Sequence, residues 1–356
     1  MSSPPREVLA VDNGSVESVE VNKVPVVTGK AEEPAKLSVD QDQIEDEQEV
    51  IISATASVSS SLYESIEENG RTYHKYKEGK YFLPNDELEQ NRLDLQHHLC
   101  KLTLHGRLHL APLKNTDLKH ALDFGTGTGI WAIEFGNSVS SFQTKSNSTN
   151  KIPKPSDTPN ANIPANLSFE VDDIEDAWVY PHPFTYIHGR LMAFALRNPQ
   201  TIFRKAFDAL SPGGYFEMQD LVPPSRSIDN TFEGTALQRC AMLMIEAGLK
   251  VGMDITAPAR YKSMMEEVGF VDVKEVMFEW PIGTWAKSQY HKRIGAWFMR
   301  DIEIGLEGIM MGLLTRVLGM SREEVGILSR DTLKEMRDPK IHCYQPFSVI
   351  YGRKPE

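Results

Sequence analysis

Cysteine is scarce in this chain of 356 residues, which contains only Cys100, Cys240 and Cys343. They are odd in number and far apart, so they build neither a disulfide framework nor the paired spacing of a zinc site. His97 and His98 are adjacent, so on a helix they point in different directions and cannot jointly hold a metal. The sequence therefore predicts a reducing compartment and no metal centre.

The chain also lacks a long apolar run and a basic patch. Residues 1–6 are rich in Ser and Pro, and no apolar segment follows them, so we expect neither a secretory signal nor a membrane span. Without clustered Lys and Arg, the phosphate contacts that dominate nucleic-acid binding are missing. These absences predict an intracellular protein, cytoplasmic or nuclear, with no membrane and no nucleic-acid partner.

Residues 1–60 lack helical or strand periodicity. They contain twelve acids and four bases, which gives −8 of the formal net charge of −12 and leaves −4 for the rest of the chain. Such a composition is typical of disorder, and we predict a disordered acidic tail. A partner-binding or regulatory arm is the functional alternative for this segment.

The ordered part of the sequence is organised around residues 121–133. Apolar residues lead into Asp123, glycines follow at positions Gly125, Gly127 and Gly129, and a helix-compatible apolar run comes next. This order predicts a strand, a glycine turn and a helix, with a main chain that a ligand can approach directly. A turn without a ligand is the plain alternative, but three glycines carry an entropic cost of about 0.5–1 kcal/mol each, which a plain turn does not need.

What the glycine loop lacks narrows the choice of ligand. No lysine follows it, as one does in phosphate-binding loops, and the sixth position of the dinucleotide fingerprint is Ile130 where Gly or Ala is expected. Both nucleotide-phosphate interpretations are weakened. A nicotinamide oxidoreductase is therefore disfavoured.

Residues 137–166 lack the acid that a second sheet strand would carry to a nucleoside. Ser, Asn, Pro and Thr make up nineteen of these thirty residues, and Asp157 is their only acid. The composition predicts a low-complexity insertion, or a replacement of the second strand, rather than a buried central strand. A short strand at Val139–Phe142 is the alternative, but no carboxylate ends it.

Two later strands deliver polar side chains to their carboxyl ends. Asp172 and Asp173 follow an alternating strand at Leu167–Val171, and His188 ends a strand at Phe184–His188. Open α/β sheets bind their ligands at that edge. Asp172 and Asp173 are therefore candidate ligand contacts, with a solvated acidic turn as the alternative. His188 is a candidate base or orienting group, with a structural hydrogen-bonding role as the alternative.

Several helices complete the predicted fold. Asn85 can cap a helix whose Leu88, Leu95, Leu99 and Leu102 share one face. Further helices are predicted at 232–251, 258–268 and 285–318, and Ser321 to Glu324 fits a capping box before a final helix and a last strand at 342–351. Strands alternating with helices predict an α/β three-layer sandwich with a mostly parallel sheet.

An acid two residues before the first glycine makes the loop resemble the first motif of class I S-adenosylmethionine-dependent methyltransferases. Residues 70–354, which we predict to be one such domain, resemble in particular the LaeA-like methyltransferases of filamentous fungi. The motifs that carry this resemblance are Asn91–His98, Leu108–Pro112, Asp123–Ala132, Tyr186–Arg190 and Asp338–His342.

The resemblance implies S-adenosyl-L-methionine as cofactor and a role in secondary metabolism. It implies a Rossmann-like sheet whose last strand is antiparallel, with added helices, and a second strand that ends in an acid for the ribose hydroxyls of the cofactor. It implies that Gly125, Gly127 and Gly129 pass the methionine half of the cofactor and that Asp123 helps to hold its ammonium group. It also implies that Asp172 or Asp173 meets the adenine amino group. The expected function is methyl transfer to an oxygen or nitrogen of a small-molecule intermediate. The alternative is a LaeA-like regulator that works with velvet-type protein partners, with cofactor binding impaired by the missing second-strand acid.

Overall fold

The computed structural model describes residues 65–68, 71–74, 83–114, 118–139, 143–147, 163–170 and 172–356, together with Leu37. The predicted acidic tail lies outside these residues except for Leu37 and stays a prediction. Among the described residues, no helix combines the length and the apolar character needed to cross a membrane.

In the described ranges, ten strands form one hairpin and one large sheet. β1 (Ser65–Glu68) and β2 (Arg71–His74) form the antiparallel hairpin. The sheet contains β3 (His120–Phe124), β4 (Gln143–Asn147), β5 (Leu167–Glu170), β6 (Phe184–Arg190), β7 (Leu210–Leu221), β8 (Arg226–Ser227), β9 (Val271–Pro281) and β10 (Cys343–Arg353). Its order is β5-β4-β3-β6-β7-β10-β8, and β9 also pairs with β10. The neighbouring strands β5, β4, β3, β6 and β7 are parallel, whereas β10 is antiparallel to each of its neighbours.

The helices are α1 (Glu87–Thr103), α2 (Ile130–Ser138), α3 (Pro199–Ala209), α4 (Ala236–Lys250), α5 (Tyr261–Val268), α6 (Gln289–Met310), α7 (Arg316–Leu318) and α8 (Arg322–Met336). A π-helical turn, Met311–Thr315, joins α6 to α7. The predicted capping box opens α8, because the Ser321 side chain accepts from the Glu324 amide while the Glu324 side chain accepts from the Ser321 amide.

Alternation along the central strands buries both faces of the sheet. On one face Ile187 and Phe216 pack with Phe203 of α3 and with residues of α5. On the other face Tyr186 packs with Trp131 and Phe135 of α2. Helices on both faces of a mostly parallel sheet make three layers, which confirms the predicted fold class.

Helix α1 differs from its predicted form. Its N-cap is Asp86 rather than Asn85, because the Asp86 carboxylate accepts the Glu89 amide at 3.0 Å. Leu88 is 48% exposed, and of the four leucines only Leu99 is fully buried. Leu99 and Leu102 do pack in the core, but the buried face also carries charged and amide side chains that meet α6, so leucine spacing identified only part of it.

Residues 137–166 contain a sheet strand and are not a plain linker. β4 pairs in parallel with β3 and β5, and Asn147 lies level with Phe124. The strand begins after the predicted Val139–Phe142 alternative, because Val139 still belongs to the end of α2. Backbone hydrogen bonding to strands on both sides stabilises β4 although its polar composition does not favour a strand. Residues 148–162, including Asp157, lie outside the described residues.

Candidate functional site

A cavity of about 320 Å³ lies at the carboxyl ends of the parallel strands. It is lined by residues at or after the ends of β3, β5, β6 and β7 and by residues of α1, α4 and α6. Open α/β sheets bind their ligands at this edge, where the loops after the strands expose backbone and side chains. The cavity therefore occupies the position predicted for the ligand site.

The glycine loop supplies one wall of this cavity. Gly125 and Gly127 line it in left-handed conformations, with φ of +67° and +60°. A Cβ on Gly127 would meet only Leu93 Cδ1, at 3.4 Å, so this backbone faces open space. Gly129 does not line the cavity. It is the left-handed N-cap of α2, and a Cβ there would lie 2.8 Å from the Phe169 ring.

Asp123 and His188 form a buried pair behind the cavity wall. Asp123 Oδ1 lies 2.7 Å from His188 Nδ1, and the two residues are 3% and 0% exposed. The imidazole stacks on Trp131 with ring centroids 3.7 Å apart and an interplanar angle of 6°. Neither residue lines the cavity. Asp123 Oδ2 and His188 Nε2 have no hydrogen-bond partner among the described residues.

Asp172 and Asp173 line the cavity in the turn after β5. The Asp172 carboxylate accepts the Asp173 amide at 2.8 Å, and the Asp173 carboxylate accepts the Glu175 amide at 2.9 Å. Asp173 is buried and Asp172 is half-buried. These bonds fix the turn and hold both acids at the cavity.

Arg190, at the end of β6, also lines the cavity. Its Nη2 donates to Nδ1 of His97, on α1, at 3.1 Å. Burial, reinforced by the Arg190 guanidinium, lowers the pKa of His97 to about 2. The ring is therefore neutral at neutral pH and can accept this hydrogen bond.

Asp220, next to the end of β7, is a buried carboxylate on the cavity wall. Oδ2 accepts the Met192 amide at 2.9 Å and lies 3.5 Å from the Tyr261 hydroxyl, and Oδ1 accepts the Leu221 amide at 3.0 Å. Burial raises the pKa of Asp220 to about 7, against these hydrogen bonds. Its carboxyl group can therefore exchange a proton near neutral pH.

A buried ionic network joins α1 to α6 at the cavity. Arg92 donates to both carboxylate oxygens of Glu89 at 2.9 and 2.7 Å and to Asp301 at 2.8 Å. Gln96 donates to the other Asp301 oxygen at 3.2 Å. Gly305 makes room for this bridge, because a Cβ there would lie 2.7 Å from Arg92 Cδ.

Much of the cavity lining is apolar. It includes aliphatic and aromatic side chains of α4 and α6 and of the segments near them: Leu237, Cys240, Ala241, Met244, Ile255, Ile282, Phe298, Ile302, Leu306 and Ile309. Helices α4 and α6 thus contribute both to the core and to the wall of the cavity. This lining suits a ligand with a large apolar surface.

Sequence reasoning missed Arg92, Gln96, Asp220 and Asp301 as cavity residues. Asp220 could have been found, because it directly follows the strand-like segment Tyr215–Gln219 and so comes at the ligand-binding edge of the sheet. Arg92 and Asp301 gave no such signal, since they are 209 residues apart and meet only through the packing of α1 on α6.

The described residues fit S-adenosylmethionine. The backbone at Gly127 leaves room against the cavity wall, and Asp123 Oδ2, buried behind the loop, has no hydrogen-bond partner among the described residues. Five acids and two arginines line the cavity, a formal excess of negative charge that suits a sulfonium cation. The charged residues of this lining are Arg92, Asp172, Asp173, Glu175, Arg190, Asp220 and Asp301.

Comparison with known proteins identifies the family. A methyltransferase-domain model matches residues 95–275. The chain is 34% identical over 326 residues to methyltransferase pytC of Aspergillus terreus, across 91% of this chain and 98% of that protein. It is 32% identical to probable methyltransferase tdiE of Emericella nidulans, across 76% of this chain and 83% of that protein. It is 28% identical to the secondary metabolism regulator laeA of Aspergillus fumigatus, across 85% of this chain and 80% of that protein. The chain therefore belongs to the methyltransferase family, as a LaeA-like member whose cofactor is S-adenosylmethionine.

Proposed function

We propose that this protein transfers a methyl group from S-adenosylmethionine to an oxygen or nitrogen of an apolar small molecule in secondary metabolism. The observation that carries the proposal is the shared cavity, which is lined by the glycine loop, by the Asp172–Asp173 turn and by many apolar side chains. The names of the relatives support the metabolic context, since laeA is a regulator of secondary metabolism.

The cofactor is bound by the glycine loop and by the turn after β5. Gly125 and Gly127 present backbone to the cofactor, and Asp172 and Asp173 bind its adenine end. When bound, the cofactor supplies an electrophilic methyl group, so the protein mainly aligns the acceptor with it. The apolar side chains of α4 and α6 hold the acceptor and exclude water from it.

His188 is better suited to positioning Asp123 than to removing a proton. It is fully buried, stacked on Trp131 and absent from the cavity lining. We assign the proton-accepting role to Asp220, which lines the cavity and whose pKa lies near neutral pH. A proton leaving the acceptor hydroxyl or amine would pass to a carboxylate oxygen of Asp220.

Calorimetry with S-adenosylmethionine and with NAD tests the proposal. We expect S-adenosylmethionine and its demethylated product to bind and NAD not to bind. Gly127→Val should abolish binding, because its side chain would enter the cofactor space. Gly319→Val is the matched control, since Gly319 has φ +69° and nothing within 4 Å of its Cβ position. Binding of NAD alone, or retained cofactor binding in Gly127→Val, would contradict the assignment.

A LaeA-like regulator acting through velvet-type proteins is the second candidate. The likeness to laeA favours it, and a relative of the same name from Emericella nidulans is a protein-methionine methyltransferase, 28% identical to this chain. Gel filtration of the purified chain with a velvet-type protein distinguishes the two functions. A stable complex, together with methylation of that protein and not of small molecules, would favour the regulator.

A further inference from the structure

Arg190 is a cation at the cavity without a carboxylate partner in the described part of the chain. Its one hydrogen-bond partner there is the neutral ring of His97. Arg92, the other arginine of the lining, is already held by Glu89 and Asp301. A half-buried charge without a counter-charge is unfavourable, so a ligand that supplies an anion would gain from meeting Arg190.

His97 orients this guanidinium without neutralising it. Because Nδ1 accepts from Arg190, the ring proton is on Nε2, which lies 3.4 Å from Glu134 Oε2. His97 is 2% exposed and has little freedom to turn. Among the described residues only one of the five N–H groups of Arg190 has a partner, which leaves four for a ligand.

The position of Arg190 indicates which anion it meets. β3 and β6 pair with Asp123 opposite His188 and Phe124 opposite Gly189, so Arg190 comes level with the start of the glycine loop. Side chains alternate along a strand, so Arg190 and His188 lie on the same face of β6. Arg190 is thus close to Asp123, the residue expected to hold the cofactor ammonium group.

We propose that Arg190, oriented by His97, binds the carboxylate of the methionine moiety of S-adenosylmethionine, an inference that rests on the proposed function. An α-amino acid carries its ammonium and carboxylate groups on one carbon, so their two binding groups must be neighbours. A guanidinium can bind a carboxylate with two parallel N–H donors, which fixes its orientation as well as its charge.

Calorimetry with S-adenosylmethionine and decarboxylated S-adenosylmethionine tests this role. Wild-type protein should bind the intact cofactor about 10- to 100-fold more tightly, as expected for charge-assisted hydrogen bonds. Arg190→Gln should weaken S-adenosylmethionine binding by a similar factor and leave the decarboxylated analogue within about twofold. His97→Phe should show a smaller loss confined to the intact cofactor, and His97→Gln should recover part of it.

Arg197→Gln, which changes an exposed arginine outside the cavity lining, is the matched control and should bind both compounds like wild type. Equal affinity of the wild-type protein for the two compounds would overturn the inference, even if Arg190→Gln failed to fold. Equal loss of both compounds in Arg190→Gln, or no loss of either, would also overturn it. Failure of the wild-type protein to bind either compound would refute the proposed function itself.

Discussion

At the scale of single residues, His188 holds the Asp123 carboxylate through a buried hydrogen bond of 2.7 Å. His188→Phe would keep the ring stack on Trp131 and remove the donor to Asp123. We expect a loss of about 2–5 kcal/mol in unfolding free energy, because the Asp123 carboxylate would be left buried without its partner. Urea unfolding measures this loss, and calorimetry should show weaker cofactor binding.

A double-mutant cycle with Asp123→Asn identifies the source of the His188 effect. If the pair acts as a unit, the double variant should lose much less stability than the sum of the single variants. Additive losses would show that His188 and Asp123 do not stabilise the fold as a pair.

Asp220 should make stability depend on pH in a defined direction. Its pKa is raised from 3.8 to about 7, so the folded protein holds this proton more tightly than the unfolded chain does. The contribution is complete below pH 3.8 and is lost as pH rises through about 7. Relative to Asp220→Asn, the wild-type protein should lose stability on the order of 4 kcal/mol across this range, at about 1.36 kcal/mol per pKa unit.

Urea unfolding of the wild type and Asp220→Asn at pH 5 and pH 8 checks this prediction. Asp208→Asn, an exposed carboxylate outside the cavity lining, is the control. A stability difference between wild type and Asp220→Asn that does not change between the two pH values would show that Asp220 does not titrate in this range.

The residues of the glycine loop could be predicted because local pattern alone specifies a strand, a turn and a helix. The polar lining could not. Arg92 is held at the cavity by its ion pair with Asp301, which lies far along the chain, and no local spacing in the sequence indicates such a contact. Asp220 was overlooked because an acid after a strand is common and only its burial distinguishes it.

At the scale of elements, the contact of α1 with α6 depends on a buried charge network. Arg92→Met would leave Glu89 and Asp301 buried without their cation, and we expect a loss of about 3–5 kcal/mol. Arg337→Met is the matched control. Arg337 follows α8, is exposed, and pairs with Glu303 of α6. An exposed pair contributes about 0–1 kcal/mol. Similar losses for the two variants in thermal or urea unfolding would contradict the assigned role of the buried network.

The strand β4 brings no acid to the end where the cofactor ribose is expected. Its residues, Gln143–Asn147, contain no carboxylate, and two charge-assisted hydrogen bonds lost without replacement correspond to about two to four powers of ten in affinity. We therefore expect a dissociation constant weaker by that factor than in a relative with an acid there, unless another carboxylate substitutes. Calorimetry on wild type and Asp157→Ala decides between these outcomes. Tight binding that Asp157→Ala leaves unchanged would show that the acid is not needed or comes from an unidentified residue.

Element prediction succeeded where one segment carries its own signal. The Ser321 capping box and the strands at β5, β6 and β7 were recognisable from local spacing. The buried face of α1 was only partly recognisable, because a buried ion pair with α6 determines it together with leucine packing. The strand β4 was not recognisable, because its pairing with two neighbouring strands outweighs its polar composition. Helix α3 was not predicted at all, although Asn198 caps it and Pro199 opens it.

At the scale of the whole molecule, the charge is concentrated in the segment 1–60. We predict that deleting these residues leaves the melting temperature nearly unchanged, because a terminal segment without a core-forming pattern adds little stability. Calorimetric melting of the full chain and of residues 61–356 tests this. A large drop in melting temperature would mean that the segment packs on the domain.

The place of β10 in the sheet has a consequence for how the protein is made. This strand, Cys343–Arg353, lies between β7 and β9, which do not pair with each other over this region. While the ribosome is still translating the preceding residues, both of those strands have an unpaired edge, and unpaired edges readily join other chains. A nascent polypeptide halted before residue 343 would also lack Gln345 from the cavity wall. Such truncated products should depend on chaperones and be prone to aggregate.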